Sequence, residues 1–272
     1  MLLQSLLRPV LTPIMRGIFD PAQSVSAAWT PTDLASLGAW FDPSDLSTMF
    51  QDAAGTTPVT AAGQPVGLIL DKSGNGHHAS QTTSTARPLF QIDGSGNAHL
   101  VFDGVDDYLS TAAIDLTGTD KVTVFAGIDV ANDANSMAVE FSTNSDSNEG
   151  AFRVDTQDGF RAQVGPVWGR KLYGVSAPAM ATYVLTPIMD MFGDGALLIR
   201  LNGSIPTQNH VVDSAVAGDA FGNHPLFIGA RSGGVLPFNG NIYSLILGGT
   251  AYDAATVLEA ETWVADKSGV TL

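Results

Sequence analysis

Residues 225–248 read PLFIGARSGGVLPFNGNIYSLILG. This is two strands joined by a glycine-rich connection. Leu226, Ile228 and Ala230 alternate along the first. In the second, Ile242 and Ile246 interleave with Tyr243, Leu245 and Leu247, so both faces are apolar. A strand apolar on both faces is covered on both sides, by a second sheet or by other chain. Ser232, Gly233 and Gly234 supply the backbone freedom that the connection requires.

Working outward, the 272-residue chain is 44% hydrophobic and only 14% charged, enough for a large core. Its 29 glycines suit many tight turns between short strands. Net charge is −15, and the acids are mostly Asp; Glu stands only at 140, 149, 259 and 261. Asp favours turns and Glu favours helices, so the bias also points to β structure. An acidic surface repels phosphate backbones and argues against nucleic acid. There is no cysteine, which excludes disulfides and thiolate catalysis.

Strand patterns recur through the chain. Ala39–Phe41 suits a strand that covers a sheet edge; Val66–Leu70, Pro88–Ile92 and His99–Phe102 follow. Val122, Val124, Ala126, Ile128 and Val130 alternate most cleanly of all. Met137–Phe141 comes next. Asp158-Gly159 joins Ala151–Asp155 to Phe160–Val164 as a hairpin, and Asn202-Gly203 predicts another. Tyr183–Leu185 and Leu197–Leu201 bracket turn residues at 193–195. One helix closes the chain, capped by Asp253 and stopped by Gly269. Ala254, Val257, Leu258, Val264 and Ala265 form its apolar face, which Glu261 interrupts. A dozen or so strands and one helix predict an all-β antiparallel sandwich over residues 39–272.

Residues 1–20 differ from the rest. Leu3, Leu7, Val10, Leu11, Ile14 and Ile18 are among aliphatic residues at helical spacing, but Pro9 and Pro13 interrupt them. The stretch is too short and too broken to span a membrane, and it lacks the layout of a signal peptide. It reads as an arm that packs on its own domain or docks on a partner, with partner docking preferred. Residues 21–38, rich in Ala, Ser, Thr and Pro, read as a linker in which Thr30 or Thr32 caps a short turn.

Asp71-Lys-Ser-Gly-Asn-Gly-His-His-Ala79, Leu100-Val-Phe-Asp-Gly-Val-Asp-Asp-Tyr-Leu109, Leu226–Ala230 and Phe238–Tyr243 together resemble the concanavalin A-like (laminin-G-like) jelly-roll domains. Phe41–Thr48 with Gly63–Gly67 resembles the versions carried by tailed-phage and prophage structural proteins. The resemblance implies two curved antiparallel sheets packed face to face. It also implies binding of glycans or protein surfaces through loops or the concave sheet.

No catalytic constellation stands out. Glycosidases of this fold set two carboxylates on alternate residues of one strand. Glu140 is the only Glu on a plausible central strand, and no acid follows it at that spacing. There is no Gly-x-Ser-x-Gly elbow, and the adjacent His77-His78 diverge on an extended chain. Asp71, Ser73 and Asn75 place oxygens at alternate positions before Gly76, as calcium loops do. However, the twelfth position is Thr82, and the same oxygens suit an Asx turn, which is preferred. Asp103–Asp107 has similar standing. Trp168, Arg170 and Tyr173, in a loop-like stretch, form a candidate glycan platform.

The leading expectation is therefore a non-enzymatic phage virion protein, a head decoration or fibre component. Its arm docks on other virion proteins and its jelly roll meets a host glycan. The resemblance adds a homo-oligomer, with a trimer favoured. The second expectation is a secreted, extracellular carbohydrate-binding or adhesion module, and the third, weaker one is a glycoside hydrolase.

Overall fold

The computed structural model describes residues 28–131, 134–192, 197–216 and 219–272. The expected arm, residues 21–27 of the expected linker and the turn expected at 193–195 lie outside the described residues. In chain order the strands are β1 (Leu37–Phe41), β2 (Met49–Phe50), β3 (Leu68–Ile69), β4 (Ala79–Ser80), β5 (Leu89–Ile92), β6 (Ala98–Asp103), β7 (Leu109–Asp115) and β8 (Lys121–Val130). They continue as β9 (Ser136–Phe141), β10 (Phe152–Thr156), β11 (Phe160–Val164), β12 (Lys171–Val175), β13 (Thr182–Asp190), β14 (Leu197–Leu201), β15 (Gln208–Asp213), β16 (Asn223–Ile228) and β17 (Asn239–Gly248). Helix α1 (Ala254–Ser268) closes the fold.

The strands form two antiparallel sheets, the sandwich expected of the pattern. The smaller runs β14-β13-β8-β17-β6-β5, with β1 also on β17. The larger runs β15-β12-β11-β10-β9-β16-β7-β4-β3-β2. The stretch 225–248 crosses between them, since β16 belongs to the larger sheet and β17 to the smaller. Gly229 makes the crossing possible. Its φ is +90°, and a Cβ there would sit 2.2 Å from the Phe102 ring.

Strand β17 is covered on both faces, as its composition predicts. Ile242, Leu245 and Leu247 join the core between the sheets, with Phe102, Phe141, Phe152 and Phe238. Ile246 joins a second core beneath α1, with Trp40, Phe125, Val257 and Val264. The register on β8 slips between Ile242 and Ser244. This bulge lets an even and then odd positions reach the same core.

Several expectations need correction. Residues 171–175, expected within a loop-like stretch, form a strand, and β15 pairs with it in the larger sheet. Asn202-Gly203 does form a hairpin turn, with φ of 47° and 76° and an antiparallel bridge between Leu201 and Ser204, but the pairing goes no further because the chain leaves β14 for the other sheet. Asp158-Gly159 does form the β10–β11 hairpin. On α1, Val257, Val264 and Ala265 are buried as expected, but Ala254 and Leu258 are exposed and Glu261 is buried on the same face. Asp253 caps α1 by accepting the Thr256 amide at 2.8 Å, and Gly269 ends it with φ 68°. Among the described residues no helix is long and apolar enough to cross a membrane.

Candidate functional site

Strands β9, β10 and β11 turn one face to the core and the other outward. Phe141, Phe152, Val154, Phe160 and Ala162 point inward. Glu140 lies opposite Arg153, Arg153 opposite Gln163, and Asp155 opposite Arg161. Directly opposed residues share a face, so these five polar side chains form one row on the face of the sheet turned away from the core.

The row is a chain of alternating charges. Arg231 Nε donates to Glu140 Oε2 at 3.0 Å, and its Nη1 donates to Asp146 Oδ2 at 2.9 Å. Arg153 bonds Asp146 through Nη1 and donates from Nε to Asp155 at 2.9 Å. Arg161 Nε donates to the other Asp155 oxygen at 2.6 Å. The turn after β9 folds over this row, and its Ser145 amide donates to Glu140 Oε1 at 2.6 Å. Burial pushes the Asp146 carboxyl up, but Arg153 and Arg231 outweigh it and hold it below the usual carboxylate range. Three acids thus face three arginines. With Glu140 fully buried and both its oxygens engaged, the row is a scaffold and not a reacting pair.

At one end of this face lies the β11–β12 turn. The Val167 amide donates to the Asp146 carbonyl at 3.1 Å, which ties this turn to the loop over the charged row. Trp168 stands at its tip, 63% exposed. Arg170 is held by its neighbours. Its amide donates to Ser214 Oγ at 3.0 Å, and its Nη1 donates to Gln163 Oε1 at 3.1 Å. Tyr173 lies on β12 opposite Ala162, on the inward face, and packs against the core. Trp168 and Arg170 therefore share one turn, whereas Tyr173 is directed elsewhere. The expected loop is a strand at this point, and alternation on it decides the direction.

The Asp71 loop is built as an Asx turn. Oδ1 of Asp71 accepts the Trp40 and Ser73 amides at 2.9 Å each. Oδ2 accepts Ser73 Oγ at 2.7 Å and the His77 amide at 3.0 Å. The Asn75 side chain donates to the carbonyls of Leu37 and Gly38. These oxygens and amides fasten the loop to β1.

A divalent cation such as calcium has a better-placed donor set in Asp103, Asp106 and Asp107, whose ligand atoms lie within 4.8 Å of one another. Burial first, and then the neighbouring Asp103, push the Asp107 carboxyl up to about 6. Within the loop itself, Asp107 accepts the Asp103 amide at 3.2 Å and Asp103 accepts the Val105 amide at 2.8 Å. A separate polar cleft of about 480 Å³ opens between Leu37, Asn75, His77, Asp115 and Thr119.

The charged row was not anticipated from the sequence. Its signal is the i, i+2 placement of Arg153 with Asp155 and of Arg161 with Gln163 on adjacent strands.

No family model matches the chain, and no curated protein matches it. Solved structures do. The receptor-binding domain of botulinum neurotoxin D aligns with a TM-score of 0.56 at 9% identity, over 86% of this chain and 54% of that one. A Trypanosoma rangeli sialidase bound to a difluoro-KDN ligand aligns with a TM-score of 0.54 at 12% identity, over 88% and 34%. A botulinum neurotoxin type C structure aligns with a TM-score of 0.52 at 9% identity, over 72% and 48%. Cell entry of that toxin is described as dependent on interaction with two ganglioside molecules. The chain thus spans about half the length of the toxin domains and a third of the sialidase.

At such identities the likeness shows the fold, a concanavalin A-like jelly roll. The toxin structures in this comparison are receptor-binding or binding domains. The virion expectation is corrected by these matches, which are toxin and sialidase domains and not head-decoration or fibre proteins. The residues that suggested it have local duties. Asp42 and Asp45 pair with Lys72, and a Cβ on Gly67 would meet the Asp52 backbone at 2.8 Å. Such features report how the jelly roll is built, not what it is attached to.

Proposed function

We propose that this chain is an extracellular carbohydrate-binding or adhesion module that meets glycan at the β11–β12 turn. The observation that carries the reading is the indole of Trp168, exposed at the tip of a turn anchored on a rigid charged scaffold. A flat exposed indole offers its face to the apolar side of a sugar ring. Arg170, held beside it by Gln163 and Ser214, offers a guanidinium to sugar hydroxyls or to an acidic sugar's carboxylate. The fold it shares with toxin receptor-binding domains and a sialidase supports the same reading.

A single aromatic platform binds weakly, so display in a homo-oligomer, a trimer in the first instance, is part of the proposal. Light scattering of the full chain measures the oligomer. The contact itself is tested on a glycan array that includes sialylated and ganglioside-type oligosaccharides, with Trp168→Ala alongside. Signal in the native chain that disappears in the variant supports the proposal. A flat array at high protein concentration, or signal unchanged in Trp168→Ala, overturns it.

A further inference from the structure

Helix α1 is packed on one side only. Val257, Ala260, Glu261, Val264 and Ala265 are buried on that side. On the opposite side Leu258 is 51% exposed. With Trp29 and Trp263 it lines an open apolar groove of about 500 Å³, and Glu259 and Asp266 stand at the same groove. Trp29 is the second described residue, so the chain joins the described fold at the wall of this groove.

The sequence immediately upstream matches the groove in two independent respects. Residues 1–20 are rich in aliphatic side chains, among them Leu3, Leu7, Leu11 and Ile14. They also carry Arg8 and Arg16 and no acid before Asp20, in a chain whose net charge is −15. An apolar, basic segment thus adjoins an apolar groove with acidic residues on it.

We propose that the groove formed by Trp29, Leu258 and Trp263 seats this chain's own residues 1–20. The aliphatic side chains cover the exposed leucine and the half-buried indoles, and the arginines face Glu259 and Asp266. The connection from Asp20 to Trp29 is short enough to keep the arm beside the groove. Extended, it reaches roughly 30 Å, longer than the roughly 22 Å axis of a 15-residue helix. Such a tether gives the arm an effective concentration on the order of millimolar, so it outcompetes a second copy at micromolar protein.

The absence of cysteine gives a clean test. Leu258→Cys is combined in turn with Leu3→Cys, Leu7→Cys, Leu11→Cys and Ile14→Cys in the full chain, with Val105→Cys replacing Leu258→Cys as the off-groove control. Mild oxidation at micromolar protein is expected to give a monomer of faster, reductant-sensitive gel mobility for at least one groove pair and for no control pair. Disulfide-linked dimers in its place would assign the groove to a second copy and overturn the proposal, as would no bond at all. Trypsin provides a second readout, since the bond after Arg8 leads into Pro9 and resists the enzyme, whereas Arg16 is its site in the arm. Leu258→Asp, at an exposed position, is expected to speed cleavage there at least tenfold with the melting of the β-sandwich unchanged. Equal rates in the two proteins overturn the proposal.

Discussion

Arg200 on β14 and Glu261 on α1 form a bidentate ion pair that locks the helix to the edge of the smaller sheet. Nε donates to Oε1 at 2.8 Å and Nη2 to Oε2 at 2.9 Å, and the Glu261 side chain is completely buried. Arg200 also donates to the Gly203 carbonyl at 2.7 Å, which ties the pair to the turn after β14. Removing one partner of a buried pair leaves the other charged and alone, at a cost of roughly 3–5 kcal/mol. Glu261→Ala is therefore expected to lower Tm by about 6–15 °C in a chain of this size. Replacing both, Arg200→Met with Glu261→Leu, should restore much of that loss. A double variant as unstable as Glu261→Ala alone would show that the cost is not an orphaned charge.

Gly229 gives a second measurable dependence. Its φ of +90° disfavours any side chain, and a Cβ would lie 2.2 Å from the buried Phe102 ring. Ring and backbone cannot both stay in place, so Gly229→Ala is expected to cost more than about 3 kcal/mol by urea melting. Gly94 lies in an open loop with nothing near its Cβ position. Gly94→Ala should stay within about 0.5 kcal/mol of the native chain. Similar costs for the two would deny Gly229 its role at the crossing.

Much of this architecture is legible in the sequence, and the failures have physical causes. Strand β8 and the Asp158-Gly159 hairpin are local patterns and survive intact in the fold. Strands β12 and β15 carry Lys171, Gly174, Gln208 and Asn209, and propensity gives them little support; pairing with neighbours makes them strands. Glu261 interrupts an apolar face in the sequence because its partner lies 61 residues away. At Asp71 the alternating oxygens suit either a cation or the chain's own amides, and only three-dimensional placement shows the amides bound to them. Trp168 can be singled out as an aromatic residue between strands. The direction of Tyr173 follows from a strand that alternation alone did not reveal.

The Asp107 carboxyl carries a pH dependence of defined sign. Its folded value of about 6 lies above the ordinary 3.8. Between those values the folded protein keeps a proton that the unfolded chain has released. This contribution to stability is complete below about pH 4 and is lost as pH rises through 6. Asp107→Asn should thus raise stability at pH 7.5, by on the order of 1–3 kcal/mol, and leave it unchanged at pH 4. Asp146 has the opposite sign. Its depressed carboxyl stabilises above the ordinary carboxylate range, and that support is lost in acid. Thermal melts of Asp107→Asn and Asp146→Asn from about pH 2 to about pH 8 check the two signs together. Millimolar calcium is expected to raise Tm of the native chain at pH 7.5, and Asp107→Asn should respond less.

Trp168 separates contact from stability. With 63% of its surface exposed, it buries little on folding, so Trp168→Ala should leave the melting curve within about 0.5 kcal/mol of native. If the indole is the sugar platform, the same variant loses most of the glycan affinity, about tenfold or more by calorimetry. Arg170→Ala is the instructive comparison. It releases Gln163 as well as removing a donor to the ligand, so it should weaken binding and also soften the β11–β12 turn. Hydrogen exchange at residues 165–170 measures the softening. A Trp168→Ala chain that melts several degrees lower while binding sugar normally would place the indole among the structural residues and move the contact face elsewhere on the sandwich.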